Sequence, residues 1–168
     1  QLYEDRKGTL WVITNNKGIY SIDKDKKIIR HQSEKGIVWP SSICEDEAGN
    51  IYAGCLKNGL FKYNPRTYSF AHINYPAQPQ LPVKALYCMN QYEIYVGTDG
   101  NGMKVYNIRE ETITDLPINI TSFNFNKSKI HSILKDRQGN IWLGFFQKGA
   151  MVIPPVINKF KYMGYKSS

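Results

Sequence analysis

The chain has 168 residues, a length that is ordinary for one domain, and 22 basic against 14 acidic residues give it a formal net charge of +8. A basic surface attracts nucleic acids or acidic polysaccharides. Only Lys24, Lys26 and Lys27 are clustered, however, and the other lysines are scattered over predicted turns without a nucleic-acid-binding motif. We therefore expect no nucleic-acid partner for this segment. If the positive charge contributes to ligand binding, an anionic sugar is a better candidate ligand than a nucleic acid.

Short apolar segments separated by turn residues recur along the chain and predict β-strands. The first set lies at residues 2–4, 10–13, 19–22 and 28–30, and the second at residues 43–45, 51–55, 60–63 and 68–73. The second to fourth strands of the third set are predicted at residues 94–96, 103–106 and 112–114. Those of the last set are predicted at residues 141–143, 150–153 and 160–163. No sustained stretch has apolar residues at helical spacing, so little or no helix is expected.

One pattern joins these sets into a repeat. An aromatic residue is followed seven positions later by glycine four times, in the pairs Trp11 and Gly18, Tyr52 and Gly59, Tyr95 and Gly102, and Trp142 and Gly149. A repeat of about 40–45 residues made of four short strands is typical of a β-propeller blade. The sequence therefore predicts an all-β protein, a β-propeller with four four-stranded antiparallel blades. The blades are expected at about residues 1–34, 35–76, 77–122 and 123–168.

A turn motif, Asp-x-x-Gly, precedes three of the four aromatic residues. The aspartate can accept backbone N–H bonds, and the glycine tolerates the left-handed conformation that follows the turn, so a structural role is expected for Asp5, Asp46 and Asp136. In the third repeat Met-Asn-Gln-Tyr stands at residues 89–92 instead. Tyrosine is a poor left-handed residue, and we therefore expect a distorted first hairpin in that blade.

The second strand of each repeat is apolar on both sides, as expected for a blade that is pressed between two neighbours. Four blades lie at the bottom of the range for closed propellers, and the alternative, which we favour, is an arc of a larger propeller. An open arc exposes an apolar blade face at each end. The expected partners of these faces are other propeller blades or a second copy of the chain.

The sequence pattern of the repeats resembles that of a known family. Tyr-Glu-Asp-Arg-Lys-Gly-Thr-Leu-Trp at residues 3–11 and Ile-Leu-Lys-Asp-Arg-Gln-Gly-Asn-Ile-Trp-Leu-Gly at residues 133–144 are its best copies, with parts at residues 51–54 and 95–98. This pattern resembles the two-component regulator propeller repeat, and the resemblance covers all four repeats. WD repeats, kelch repeats and the sialidase-type Asp box each require a sequence motif that this chain does not have.

The resemblance implies a sensor. It implies the ligand-sensing part of the extracytoplasmic domain of a hybrid two-component histidine kinase and response regulator, of the kind found in Bacteroides and its relatives. The parent protein is then expected to span the inner membrane with this part in the periplasm, to detect an oligosaccharide and to control polysaccharide-utilisation genes. The alternative is a non-catalytic propeller scaffold for protein–protein assembly.

No catalytic or metal-binding constellation is found in the sequence. His31, His72 and His131 lie in three different repeats with no shared spacing, which argues against a propeller enzyme. The three cysteines, at positions 44, 55 and 88, are an odd number without metal-ligand spacing, and we expect them to be small buried apolar residues. We expect no cofactor, no signal peptide and no membrane span in this segment.

A binding surface is expected where the loops between second and third strands meet the connections between blades. Sugar recognition uses planar hydrogen-bonding side chains together with an aromatic ring. Residues of these types lie at the predicted loops, and the candidate ligand-binding residues are Trp39, Asn58, Asp99, Asn101 and Gln147. Asn, Asp and Lys also form turns for purely structural reasons, so a turn-forming role remains open for each polar position.

Overall fold

The computed structural model describes residues 1–32, 36–116, 118, 124–155 and 161–163. Its first sheet contains β1 Leu2–Glu4, β2 Leu10–Thr14, β3 Gly18–Ile22 and β4 Ile28–His31. The second contains β5 Pro40–Glu45, β6 Ile51–Cys55, β7 Gly59–Asn64 and β8 Ser69–Ile73. The third contains β9 Val83–Cys88, β10 Glu93–Thr98, β11 Met103–Asn107 and β12 Thr112–Asp115. The fourth contains β13 Ile130–Lys135, β14 Ile141–Phe145, β15 Gly149–Ile153 and β16 Lys161–Met163.

Each sheet is an antiparallel meander whose four strands pair in chain order. The predicted all-β propeller architecture with four four-stranded blades is therefore confirmed. The one helical segment in the described residues is a single 3-10 turn at Phe125–Lys127. The fourth strand of the last blade was predicted to begin at residue 160, which lies outside the described residues.

The blades pack through three apolar clusters, each of which lies between two neighbours. Trp11, Ile19 and Phe61 belong to the cluster between the first two blades. Tyr52 and Tyr106 are buried in the next, and the third is made of Met103, Ile130, Leu143 and further side chains. The first strand of the second blade packs against that of the third, and the third against the fourth. First strands therefore lie on the inner side of the arc.

The arc is open, and the burial of the second strands shows it. All five residues of β6 are buried, as the sequence predicts for a blade between two neighbours. In β2 and β14 buried and half-buried residues alternate, so the prediction of two buried faces is wrong for these end blades. Their outer faces have no neighbouring blade in the described structure, and Leu2 is 67% exposed on one and Leu134 60% exposed on the other.

The recurring aspartates fix the first hairpin of a blade. Asp5 Oδ1 accepts the backbone N–H groups of Lys7 and Thr9 at 3.0 and 2.9 Å, and its Oδ2 accepts the indole N–H of Trp11 at 2.9 Å. Asp136 repeats this arrangement, with its Oδ2 2.8 Å from the indole nitrogen of Trp142. The hydrogen bonds from Trp142 and the neighbouring amide groups lower the pKa of Asp136.

In the third blade an asparagine forms the turn. Asn90 Oδ1 accepts the backbone N–H groups of Tyr92 and Glu93 at 2.7 and 3.0 Å, and Tyr92 is not among the residues with positive φ. Strands β9 and β10 pair without interruption from the turn as far as Gly97, where the register shifts. The distortion expected from the sequence is therefore confined to the turn, because a side-chain acceptor can replace the left-handed residue.

Candidate ligand-binding surface

One edge of every sheet contains both kinds of loop that were predicted to bind ligand. Because the strands are antiparallel, the loop after the second strand lies beside the segment that enters the first strand. We call this edge the loop face; it consists of residues 15–17, 36–39, 56–58, 82, 99–102, 128–129 and 146–148. The five residues predicted from the sequence all lie on it, at positions 39, 58, 99, 101 and 147.

Trp39 presents an exposed aromatic ring at the entry to β5. Its side chain is 47% exposed, and the ammonium group of Lys57 lies 4.3 Å from the ring centroid, within the range of a cation–π contact. The Trp39 carbonyl accepts the backbone N–H of Leu56 at 3.0 Å, which fixes the backbone beside the loop. The Trp39 backbone has φ +54°, which is uncommon for a bulky residue.

Asn58 holds the segment that positions this tryptophan. Its Oδ1 accepts the backbone N–H of Val38 at 3.3 Å, and its amide nitrogen donates to the Gly36 carbonyl. The Asn58 backbone carbonyl lies 3.0 Å from Nε2 of His72. Both ends of the Asn58 amide thus contact residues 36–38, the segment that leads to Trp39, and the prediction of a ligand contact for Asn58 stays a prediction.

Asp99 is the centre of a charged cluster that crosses from the third blade to the fourth. Its Oδ1 lies 3.2 Å from Nζ of Lys129 and 3.3 Å from Nε2 of His131. Burial alone would raise the pKa of Asp99, but the hydrogen bonds and charges of Lys129 and His131 outweigh burial and lower it. Asp99 is therefore a carboxylate at neutral pH and can accept hydrogen bonds.

Phe146 covers one side of this cluster. The imidazole of His131 lies 5.0 Å from the Phe146 ring centroid with the planes tilted by 34°, and Nζ of Lys129 lies 5.8 Å from the same centroid. Phe146 is itself 46% exposed. An exposed ring beside a carboxylate and an ammonium group is a combination that can bind a sugar ring and its hydroxyl groups.

Asn101 and Gln147 belong to turns of the same face. The backbone N–H of Asn101 donates to Oγ1 of Thr98 at 2.9 Å, and the Asn101 side chain is half-buried. Gln147 is exposed, with φ +56° in the loop after β14. The described contacts join Trp39 to Lys57 and Asp99 to Lys129 and His131; they do not join Asn101 or Gln147 to either group.

Sequence reasoning missed Lys129, His131 and Phe146. His131 shares no spacing with the other two histidines and is 32 positions from Asp99, so no local pattern pairs the two residues. A signal was available in the repeat: Asp99 is the first residue after a second strand, and Lys129 immediately precedes the next first strand. Residues at these two positions meet when consecutive blades pack, as the isolated bridge between Asp99 and Lys129 shows.

The remaining candidates for chemistry have structural surroundings. His31 is buried, and burial lowers its pKa; its ring nitrogens lie 3.0 Å from the Tyr68 carbonyl and 2.8 Å from Ser21 Oγ. Cys44 and Cys55 are buried, and burial raises the pKa of both thiols.

Among the described residues no group of three His, Cys, Asp or Glu side chains is arranged to hold a metal ion. The same residues include no helix with the length and apolar character needed to cross a bilayer.

Comparison with known proteins identifies the repeat in the last blade. The model of the two component regulator propeller family matches residues 124–147, which run from the 3-10 turn to the loop after β14. That match includes Lys129, His131 and Phe146 of the charged cluster. No curated protein sequence matches the chain significantly.

Solved structures match over nearly the whole chain. The extracellular domain of a hybrid two component system of B. thetaiotaomicron superposes with a TM-score of 0.77 and 22% identity, over 99% of this chain and 22% of that one. A second such domain from the same organism gives 0.74 and 17% identity, over 95% and 22%. A catalytically inactive virginiamycin B lyase from Staphylococcus aureus with quinupristin gives 0.76 and 14% identity, over 99% and 55%.

At these identities the superpositions establish the fold, and the chain spans about a fifth of the length of the two-component domains. Lyases and sensors share this architecture, so the fold by itself does not choose between them. The family match adds that the fourth blade has the sequence of a regulator propeller repeat. The chain is therefore a propeller segment similar in fold to the extracellular domains of hybrid two-component systems, and residues 124–147 of its last blade match the two component regulator propeller family.

Proposed function

We propose that this chain is the ligand-sensing propeller portion of the extracytoplasmic domain of a hybrid two-component sensor histidine kinase and response regulator. The observation that carries the proposal is the match of residues 124–147 to the regulator propeller family. The parent protein is anchored in the inner membrane with this segment in the periplasm. It detects an oligosaccharide and controls genes for polysaccharide utilisation.

The loop face supplies groups that suit an oligosaccharide. The rings of Trp39 and Phe146 are both about half exposed, and each lies beside a lysine ammonium group. Aromatic rings cover the apolar face of a pyranose, while the Asp99 carboxylate accepts hydrogen bonds from hydroxyl groups and the ammonium groups donate to them. We assign ligand contacts to Trp39, Asp99, Lys129 and Phe146, and peripheral contacts to Asn101 and Gln147.

Calorimetric titration of the chain with a panel of neutral and acidic oligosaccharides tests this proposal. Saturable binding of one panel member is expected. The Trp39→Ala variant, which removes a stacking surface, should weaken oligosaccharide binding about tenfold or more. The Asp99→Asn variant, which removes a charged hydrogen-bond acceptor, should weaken it by a similar factor.

A matched control keeps the test specific. Tyr92→Ala and Glu110→Gln remove an exposed aromatic ring and an exposed carboxylate from turns at the opposite edge of the blades, and they should leave binding unchanged. Failure of the whole panel to bind would contradict the proposal for this segment. Binding that survives Trp39→Ala and Asp99→Asn would contradict its placement on the loop face.

Assembly with other blades is the second candidate function, and the open faces of the arc favour it. Leu2 and Ile28 of the first blade are 67% and 66% exposed, and Leu134 of the fourth is 60% exposed. Apolar side chains exposed on a sheet face are typical of an interaction surface. The partner that fits these faces is another propeller blade, from the parent protein or from a second copy.

A further inference from the structure

A cleft of about 240 Å³ lies between the first and second blades. It opens at the turn face, the edge opposite the loop face, which carries the turns after first and third strands. It is lined by the buried Trp11 and the half-buried Tyr63, and by the exposed Lys7, Lys27 and Tyr68. The cleft is distinct from the loop face, and none of the side chains assigned there lines it.

The aromatic part of the cleft is fixed in place by contacts across the blade boundary. Trp11 is 3% exposed, and its ring centroid lies 5.0 Å from that of His31 and 4.9 Å from that of Tyr63. His31 also lies 3.0 Å from the Tyr68 carbonyl, which holds the rim of the second blade against the first. The Tyr68 side chain is nevertheless 57% exposed. A preformed aromatic wall with one accessible ring suits the apolar face of a small cyclic ligand.

The first-blade turns beside the cleft carry an excess of positive charge, whereas the second-blade turn at residues 46–49 adds Asp46 and Glu47. The turns at residues 5–8 and 23–27 contain three acidic residues and five basic ones, namely Arg6, Lys7, Lys24, Lys26 and Lys27. Both oxygens of Asp5 are already engaged, by backbone N–H groups and by the Trp11 indole. The two turns lie against each other, since a Cβ atom added to Gly8 would be 2.6 Å from Cε of Lys24. The cleft itself is lined by the exposed ammonium groups of Lys7 and Lys27 and by the carboxylates of Asp5 and Asp23. Asp23 Oδ1 accepts the backbone N–H of Lys27 at 2.9 Å, so this carboxylate is also engaged in its own turn.

We infer that this cleft binds a single-ring sugar acid of the hexuronate type. The volume falls below the about 300–1,000 Å³ of pockets for drug-sized ligands, and it therefore suits one ring. The carboxylate is held by Lys7 and Lys27 through charge-assisted hydrogen bonds, and the ring lies against Tyr68. Asn50 and Asp23 also line the cleft. The Asn50 amide nitrogen donates to Asp46 and Asp23 Oδ1 accepts the Lys27 backbone N–H, so the ligand hydroxyl groups donate to Asn50 Oδ1 and Asp23 Oδ2. A ligand in this position contacts both blades and strengthens their contact.

Titration of the chain with sodium glucuronate tests this inference, with glucose as the neutral analogue and acetate as the carboxylate without a ring. Calorimetry should show saturable one-to-one binding of glucuronate and at least tenfold weaker binding of the other two. The NMR signal of the Trp11 indole N–H should shift with the same titration curve. The Lys7→Gln, Lys27→Gln double variant should weaken glucuronate binding about tenfold or more, and Tyr68→Ala should also weaken it.

The control is a double variant with the same loss of charge at equivalent places in other blades. Arg109→Gln combined with Arg137→Gln removes two exposed cations, one from the β11–β12 turn and one from the β13–β14 turn. It should bind glucuronate as the unmodified chain does, and thermal unfolding checks that every variant is folded. Absence of saturable binding, an equal loss in both double variants, or binding that leaves the Trp11 signal unmoved would each overturn the inference. Loss of loop-face binding has no bearing on this result, because the proposed function is tested with different side chains.

Discussion

At the scale of single residues, an aspartate at the same position of the repeat has the same structural role in three of the four blades. Asp5, Asp46 and Asp136 each accept at least one backbone N–H inside a turn and a further hydrogen bond from the aromatic side chain six positions later. The hydrogen bond fixes the aromatic ring relative to its own turn, and in the first two blades the ring also packs in the cluster shared with the next blade. In the third blade Met89 occupies the position of the aspartate, and Asn90 supplies the acceptor for the turn.

The buried histidine between the first two blades makes stability depend on pH. Burial lowers the pKa of His31 below its ordinary value of 6.5, so the folded state favours the neutral ring while the unfolded chain binds the proton more readily. The stability that the folded protein gains from a neutral His31 is therefore fully present above about pH 6.5, and it is lost as the pH falls through the folded-state pKa of His31. We predict that the free energy of unfolding, measured in urea, decreases between pH 7.5 and pH 5.

The His31→Gln variant separates this effect from the titration of other groups. Glutamine retains a donor and an acceptor but does not titrate in this range, so the variant should lose less stability on acidification than the unmodified chain. It should also be less stable at pH 7.5, because the contacts with Trp11 and the Tyr68 carbonyl are altered. Equal slopes of stability against pH in the two proteins would show that His31 is not responsible.

The sequence contained part of these residue-scale findings. The offset between aspartate and glycine predicted the turn, and the constant offset of six from aspartate to the aromatic residue would have predicted the hydrogen bond. The contact of Asp99 with His131 could not be predicted from local sequence, because it depends on how the third blade packs on the fourth. The loop face and the meeting of Asp99 with Lys129 could therefore be predicted from the topology of the repeat, whereas the contact of Asp99 with His131 required the structure.

At the scale of elements, a glycine in the second strand determines how closely the next blade can approach. A Cβ atom on Gly54 would lie 2.3 Å from Cγ1 of Val83, in the first strand of the following blade. One on Gly97 would lie 2.9 Å from Cγ2 of Ile130, again in the following blade. The glycine two positions after the repeated aromatic residue thus receives the neighbouring first strand. The glycine is visible in the sequence, but its contact could not be predicted from it, because the contact is made with a residue of the next blade.

We predict that Gly54→Ala lowers the free energy of unfolding by about 1–3 kcal/mol, because the added methyl group overpacks the contact between the second and third blades. Gly144→Ala is the matched control in the fourth blade, where the nearest atom is Oγ of the Ser132 side chain and no further blade packs on that face of the described structure. A rotatable serine side chain can move, so the loss there should be smaller. Urea unfolding measures both, and an equal loss would contradict the proposed role of the glycine.

At the scale of the whole molecule, the two ends of the arc are not equivalent. The first blade has Ile13 at the position that Gly54, Gly97 and Gly144 occupy in the others. The fourth blade therefore presents an outer face with the same small residue that elsewhere receives a neighbouring first strand. Leu134 stands beside it, on the strand that pairs with Trp142, and is 60% exposed. This face has the surface required to receive a further blade.

We predict that the chain self-associates through these open faces and that Leu134→Lys weakens the association about tenfold or more. Burial of one leucine side chain contributes about 1.5–3 kcal/mol, and the lysine would place a charge in the same contact. Light scattering across a range of protein concentrations measures the solution mass. Tyr92→Lys, which adds a lysine at another exposed apolar residue, on a turn of the third blade, should associate as the unmodified chain does. A chain that remains monomeric at every concentration, or a control that weakens association equally, would contradict the assignment of the fourth-blade face as a docking surface.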